Sequence, residues 1–277
     1  MSDLARVMAI VNRTPDSFYD KGATFAIDAA VARADEVIAQ GASIIDVGGV
    51  KAGPGDDVDA AEEIDRIVPV IAGVRERHPH VSISADTWRA EVAQAAIDAG
   101  ADLINDTWAG WDPELAEVAG ANRVGYVCSH TGGVTPRTRP HRVYYDDVVA
   151  DVIRETTALA ERAVALGVPE DRIFIDPTHD FGKNTFHGLE LLRRVDELVA
   201  TGWPVLMALS NKDFVGETVD RGVGERVAGT LAATAWAAAR GVAAFRVHEV
   251  AETVDVIRMT AAIAGDTPPL NTVRGLA

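Results

Sequence analysis

The stretch RVMAIVNRTPDSF spans residues 6–18. Five apolar residues, Val7 to Val11, run without interruption and stop at Asn12. Thr14, Pro15, Asp16, Ser17 and Phe18 follow as a polar loop. An apolar run that does not alternate reads as a strand buried on both faces, the kind found in parallel sheets covered by helices. The polar cluster has two readings at this point: an ordinary strand exit, or the rim of an active site.

The same pattern recurs along the chain. Further strands are expected at 43–49, 81–86, 103–109, 123–130, 173–177, 204–210 and 244–248, all short and rich in Val and Ile. Between them apolar residues repeat at helical spacing. Ile27, Val31, Ala34, Val37 and Ile38 share one face, and Gly41 ends that helix. Ile64, Ile67, Val68, Ile71 and Val74 form a second stripe; Leu191, Leu192, Val195, Leu198 and Val199 form a later one. The alanine-rich GTLAATAWAAARG at 229–241 is a strong helix former. Eight strand–helix units in 277 residues predict an α/β chain closed into a (β/α)8 TIM barrel, one domain over 1–277. An open doubly wound sheet is the competing topology, but no GxGxxG follows the first strand. Residues 130–145, with two Gly and two Pro, read as a long loop after the fifth strand.

Bulk composition narrows the partners. A net charge of −16 argues against a nucleic-acid groove or an anionic membrane surface. Cys128 is the only cysteine, so no intrachain disulfide forms, which fits a cytoplasmic setting. No apolar run approaches the roughly 20 residues of a membrane span, and the N-terminus lacks the apolar core of a signal peptide.

In such a barrel the chemistry sits at the carboxyl ends of the strands. Those ends carry Asn12, Asp86, Asn105 with Asp106, His130, Asp176, Ser210 with Lys212, and Arg246 with His248. Each also has a plain structural reading. Asp86 and Asp176 suit helix N-caps; Asn105 and Asp106 suit the satisfaction of rim backbone; Lys212 suits a solvated loop. Cys128 reads as core, and Asp46, inside its strand, as structural. No CxxC or HExxH pattern supports a transition-metal site. Taken together, the strand ends describe a pocket for a nitrogen heterocycle with a phosphate-like group. A carboxylate such as Asp176 accepts two parallel hydrogen bonds from an amidine-like edge. Asn105 offers both donor and acceptor, Lys212 donates to a ring carbonyl, and Arg246 with His248 alternate on one strand to hold an anion.

The motifs NRTPDSF, GASIIDVGG, SADT, AGADLIND, IDPTHDFGK, ALSNK and FRVHEVAETV occur in an order that resembles the dihydropteroate synthase family over nearly the whole chain. The resemblance implies condensation of 6-hydroxymethyl-7,8-dihydropterin pyrophosphate with p-aminobenzoate to give dihydropteroate. It implies pterin binding by Asp86, Asn105, Asp176 and Lys212, with Lys212 and Asp86 in the catalytic role. It implies pyrophosphate binding by Asn12, Arg246 and His248, with Asn12 helping to place Mg²⁺. It makes the loop after Asn12 a mobile flap. It also implies a homodimer, through the region of Leu231, Ala235 and Trp236, and sulfonamide- or sulfone-like arylamines as possible ligands beside p-aminobenzoate.

The departures from the family pattern are equally specific. The family's second loop reads Gly-Gly-Glu-Ser-Thr-Arg-Pro-Gly; this chain has GGVKAGPG, with Val50, Lys51, Ala52 and Gly53 replacing Glu-Ser-Thr-Arg. Asn211 stands where Arg is usual, and Thr178, His179 and Asp180 replace a Gly-rich turn. The chain is most similar to the divergent second synthase copy that some bacteria carry. Three functions follow as expectations: a pterin-binding barrel with weak, lost or redirected condensation, a fully active synthase, or a non-catalytic protein that senses a pterin or related metabolite. A methyltetrahydrofolate-dependent methyltransferase is the more distant alternative, opposed by TPDSF and FRVHE. The role of the basic loop PRTRPHR at 136–142, co-substrate recruitment or a solvated balance of charge, stays open.

Overall fold

The computed structural model describes residues 4–14, 26–138 and 144–274. Residues 15–18 of the first loop and 139–142 of the basic loop lie outside the described residues. Eight strands form one sheet: β1 (Arg6–Asn12), β2 (Ile44–Gly48), β3 (Ser82–Asp86), β4 (Leu103–Asp106), β5 (Gly125–Ser129), β6 (Ile173–Asp176), β7 (Leu206–Met207) and β8 (Ala244–Val247). They are hydrogen-bonded in the order β6-β5-β4-β3-β2-β1-β8-β7, and every paired neighbour is parallel. The ring closes between β6 and β7 through a single parallel bridge, Ile175 to Val205, with the Ile175 N–H donating to the Pro204 carbonyl at 2.9 Å. The expected (β/α)8 barrel is the fold.

Helices α1 (Ile27–Ala39), α2 (Ala60–Arg77), α3 (Ala90–Asp98), α4 (Leu115–Ala121) and α5 (Val148–Ala165) follow the first five strands. Helices α6 (Thr185–Arg193) and α7 (Val195–Val199) follow β6, α8 (Asp213–Val219) and α9 (Val227–Ala238) follow β7, and α10 (Val250–Ala264) follows β8. Local chemistry starts several of them. The Asp59 carboxylate caps α2 at the Glu62 N–H, Asp147 caps α5 at Val149 and Ala150, and Asn184 forms a capping box with His187 on α6. The rim carboxylates are therefore not helix caps: the N-cap residues of α3 and α6 are Arg89 and Asn184, not Asp86 and Asp176.

The strands read as unbroken apolar runs because both of their faces meet apolar atoms. Met8, Ile44, Leu103, Val127, Phe174, Leu206 and Ala244, from seven of the eight strands, fill one cluster inside the barrel. Val7, Ala9, Val11, Ile45, Val47, Ile83 and Ala85 belong to the outer cluster that packs against Val37, Ile67, Ile71 and Val74 of the helices. Full burial of a side chain such as Val or Ile contributes about 1.5–3 kcal/mol.

Most strands are shorter than the sequence expectation by a residue or more, and β4, β7 and one helical stripe are instructive cases. β4 stops at Asp106 rather than at 109, because the Asp106 carboxylate takes the N–H groups of Trp108 (3.1 Å) and Gly110 (2.6 Å) and turns the chain. β7 shrinks to two residues. The apolar stripe at 191–199 is broken into α6 and α7 at Arg194, whose backbone leaves helical geometry while its guanidinium fans onto Asp147, Glu190 and Glu197.

One close approach sets the packing of α4 on the end of α5. A Cβ built on Gly120 would stand 2.2 Å from the Leu166 carbonyl oxygen, a backbone atom that cannot swing away. Gly120→Ala is expected to destabilise the fold by about 1–3 kcal/mol, the usual cost of overpacking, read as a lowered urea midpoint at unchanged m-value.

Candidate functional site

The parallel register brings the polar strand ends to one mouth. Asn12 pairs with Gly48, Gly48 with Asp86, Asp86 with Asn105, and Ser129 with Asp176. Gly48 lets the Asn12 side chain lie close: a Cβ on it would stand 2.8 Å from the Asn12 Oδ1, so that amide would have to shift.

At the centre is an ion triad. The Arg246 Nε donates to Asp46 Oδ2 at 2.6 Å, and its Nη2 donates to Asp86 Oδ2 at 2.7 Å. Asp46 is fully buried and also accepts from Asn105 Nδ2 at 3.2 Å. Asp86 receives the Thr107 hydroxyl at 3.2 Å. Burial raises the Asp86 carboxyl, Arg246 opposes that, and the neighbouring Asp46 adds to the rise. Burial works against the Arg246 charge, but Asp46 and Asp86 more than restore it and hold the guanidinium protonated. Asp46 is thus structural, as its place within a strand suggested, and it aims the arginine.

Asp176, at the end of β6, is 3% exposed. Its Oδ1 accepts the Thr178 N–H at 2.7 Å. Burial lifts its carboxyl to about 6 against the opposing Thr178 N–H and the nearby Lys212, Lys183 and Arg246. Thr178 sits at φ 48°, a left-handed conformation uncommon for a β-branched residue. A position of this kind favours glycine, and here strain of about 1–3 kcal/mol is held by two hydrogen bonds to Asp176, one from the backbone and one from the Thr178 hydroxyl to the Asp176 carbonyl. The Lys183 ammonium fixes the same loop from below, donating to the carbonyls of His130 (3.0 Å), Thr178 (3.2 Å) and Phe181 (2.9 Å). Burial draws that amine down to about 7.

Asn12, Asp86, Asp176, Lys212 and Arg246 line one cavity of about 440 Å³. Asn105 and His248 are not part of its lining: Asn105 turns its amide to Asp46, and His248 stands behind the wall. The His248 Nδ1 is 2.8 Å from the Ser210 Oγ, and Ser210 donates its proton to Glu249 Oε2 at 2.8 Å. Ser210 therefore accepts from His248, which puts the hydrogen of that bond on Nδ1. Asn211 sits at φ 57°, and its Nδ2 donates to Glu249 Oε1 at 2.7 Å. Its amide serves the wall rather than supplying the charge an arginine would bring.

His130 also lies outside the lining, held to Asp151 at 2.9 Å and pushed down to about 4, first by burial and then by Lys183. Cys128 is buried and its thiol is pushed far up by burial, consistent with a core role. The altered second loop lies on the cavity: Lys51, Ala52 and Gly53 line it. Val50 lines it too, and packs on a cluster of Trp88, Trp108 and Val134 together with Phe181. Trp108 and Phe181 meet edge to face at 4.6 Å. Strand-end reasoning missed Thr107, Trp108, Val134 and Arg226 in the lining. Thr107 and Trp108 directly follow the end of β4 and were legible by position. Arg226, just before α9, was not.

As to a metal, Asn12 presents a carboxamide oxygen at the cavity wall. One such hard donor fits Mg²⁺, which keeps several waters and takes its remaining oxygens from substrate phosphates. Among the described residues no group of three or more His, Cys, Asp or Glu side chains is placed to hold a metal, and no helix is long and apolar enough to cross a membrane.

Residues 8–248 match the model of a protein family described as pterin binding enzyme. The chain is 64% identical over 280 residues to inactive dihydropteroate synthase 2 of Mycobacterium leprae, covering 100% of this chain and 96% of that one. It is 62% identical to the protein of the same name in Mycobacterium tuberculosis, covering 99% and 88%. Among solved structures it resembles the Xanthomonas albilineans dihydropteroate synthase with 4-aminobenzoic acid, at 39% identity and a TM-score of 0.86 over 95% of this chain and 94% of that one. The Yersinia pestis dihydropteroate synthase with a sulfonamide drug complex matches at 34% identity and a TM-score of 0.89, covering 95% of each chain. With a barrel, a strand-end cavity and these relatives in agreement, the chain belongs to the pterin-binding enzyme family, on the dihydropteroate synthase side of it.

Proposed function

We propose that this chain is a dihydropteroate synthase-like pterin-binding protein whose condensation of 6-hydroxymethyl-7,8-dihydropterin pyrophosphate with p-aminobenzoate is weak, lost or redirected. The observation that carries this reading is the contrast between the two sides of one cavity. The inner side keeps Asp86, Asp176, Lys212 and Arg246. The second loop brings Lys51, Ala52 and Gly53 to the other side, where the family pattern has Ser, Thr and Arg. The relatives named as inactive support the same reading.

In this reading Asp176 accepts the donor edge of the pterin, Lys212 donates to its ring carbonyl, and Asp86 is held in place by Arg246 and Thr107. Asn105 contributes through Asp46, and a direct contact to the pterin requires its amide to leave that carboxylate. Arg246, braced by two carboxylates, meets the pyrophosphate side together with Asn12, and a direct contact from His248 requires its ring to leave Ser210. Asn12 is the residue that would hold Mg²⁺, and the ion would supply charge compensation to the pyrophosphate. The transfer itself joins the arylamine nitrogen to the pterin methylene carbon, breaks the carbon–oxygen bond to pyrophosphate, and releases one amine proton to the departing pyrophosphate or to water. It requires the amine to be held close and in line, and a misplacement of about 1 Å costs roughly a hundredfold. Ala52 and Gly53 have no side-chain donor for that task, and each lost charge-assisted contact costs about 1.5–3 kcal/mol. We place the protein in the cytoplasm and expect a homodimer. The dimer surface is the outer side of α9 and α10, where Trp236, Met259 and Ile263 are exposed. Sedimentation velocity at micromolar concentration is expected to show the dimer, and Trp236→Glu to shift it toward monomer.

The pH dependence follows from Asp176. Its carboxyl is raised in the fold, so the stability it contributes is full below the ordinary carboxylate range and is lost as pH rises through about 6. Ligand binding runs the other way, because two parallel hydrogen bonds need the ionised form. Pterin affinity measured by calorimetry is expected to rise between pH 5 and 7, and Asp176→Asn to weaken binding and flatten that rise. Equal binding by both proteins would reduce Asp176 to an anchor for Thr178.

Turnover supplies the second test. Dihydropteroate formation is expected to fall about a hundredfold or more below that of an orthodox synthase assayed beside it. The combined change Lys51→Ser, Ala52→Thr and Gly53→Arg is expected to raise it. Wild-type turnover equal to the orthodox enzyme would establish the fully active alternative. Pterin binding with no gain from the rebuilt loop would favour a changed co-substrate or a sensing role.

A further inference from the structure

The cavity wall holds four cationic side chains among the described residues: Lys51, Lys212, Arg226 and Arg246. Arg246, Lys212 and Arg226 each face a carboxylate. Arg246 is committed to Asp46 and Asp86. Lys212 Nζ is 3.4 Å from Asp180 Oδ2. Arg226 Nη1 is 2.9 Å from Asp213 Oδ1. The Arg226 guanidinium has further internal work: its Nη1 donates to the Asn211 carbonyl at 2.9 Å and its Nε to the Arg221 carbonyl at 3.2 Å. It also lies flat against Gly216, where a Cβ would come within 2.6 Å of three of its atoms. Asp180 and Asp213 both line the cavity, and the Asp213 side chain is 79% exposed at its mouth. Beside them stand the apolar faces of Trp108, Phe181 and Val134. The mouth is therefore an aromatic wall edged by carboxylates whose cations are paired within the protein, in a chain of net charge −16.

On the reading that the inner cavity holds a pterin, we infer that the outer cavity takes an uncharged or cationic aromatic amine in preference to an aryl carboxylate, with Asp180 and Asp213 as the residues that set this preference. A carboxylate entering between Asp180 and Asp213 meets two like charges, and the cations beside them, Lys212 and Arg226, would have to leave those partners to receive it. An amide meets neither cost. An amidinium gains a carboxylate at the rim while its ring stays on Phe181 and Trp108.

Three ligands of one shape and different charge test this: p-aminobenzoate, p-aminobenzamide and p-aminobenzamidine. Each is titrated calorimetrically into the full chain, alone and preloaded with 6-hydroxymethylpterin. The expected order places the amidine and the amide ahead of the carboxylate by about tenfold, a gap that narrows as salt screens the rim. Asp213→Asn and Asp180→Asn, singly and together, are expected to raise the affinity for p-aminobenzoate relative to p-aminobenzamidine by about the same factor. Tightest binding of p-aminobenzoate by the wild type, an unchanged ratio in both variants, or no binding of any of the three overturns the inference. Failure of the pterin to bind overturns the reading of the inner cavity instead, and the charge order is still read from the chain without it.

Discussion

The arginine at the centre of the barrel is the interaction on which the site depends. Arg246 rises from β8, takes Asp46 from β2 with one nitrogen and Asp86 from β3 with another, and Asp46 in turn holds Asn105 from β4. Three charges taken out of water in this way are tolerable only because they satisfy one another; deletion of one partner would leave the others stranded at a cost of about 3–5 kcal/mol. The triad therefore fixes the relative height of four strands, and with it the height of the polar layer above the apolar plug. The cavity above such a layer inherits its rigidity from charges that hold one another in place.

The same arrangement explains how a chain can hold one half of a site and lose the other. The inner half is built from strand ends, whose positions are set by the sheet and by buried ion pairs. The outer half is built from loops: the stretch around Lys51 to Gly53 after β2, the turn at Thr178 to Phe181, and the approach to α9 at Arg226. Substitutions there disturb no strand register. They change what the cavity offers while leaving the barrel and the Arg246 triad in place. The strained Thr178 is an example, since its left-handed backbone is tied down by Asp176 and by the carbonyl-bound Lys183.

Most of the barrel was legible because buried parallel strands leave an unmistakable trace of short Val- and Ile-rich runs separated by helical stripes. The strand ends were legible for a related reason: a polar residue after such a run has few structural tasks, and at Asn12, Asp86, Asp176 and Arg246 the ends do meet in one cavity. What pattern reading missed depends on side-chain direction. Asn105 and His248 are strand-end residues, yet they turn toward Asp46 and Ser210 rather than into the cavity. Nothing in their spacing encodes that choice, which is made by partners far away in the chain. Arg226 and Val134 were missed because they belong to loops, where position in sequence says little about position in space. The shortened ends of β4 and the break at Arg194 come from side chains competing with backbone hydrogen bonds, an effect that hydrophobic periodicity cannot register.

The joint between β6 and β7 differs from the other seven. It is made by one bridge at Ile175 and Val205, beside a strand of two residues. Asp176 stands on one side of that joint, and Lys212 follows the strand on the other. A small molecule gripped by both would act as a stitch across the weakest line of the cylinder, supplying from outside the cohesion that the backbone leaves thin. Occupancy would then be felt as a change in how readily the wall breathes, with the stiffening concentrated along that one line.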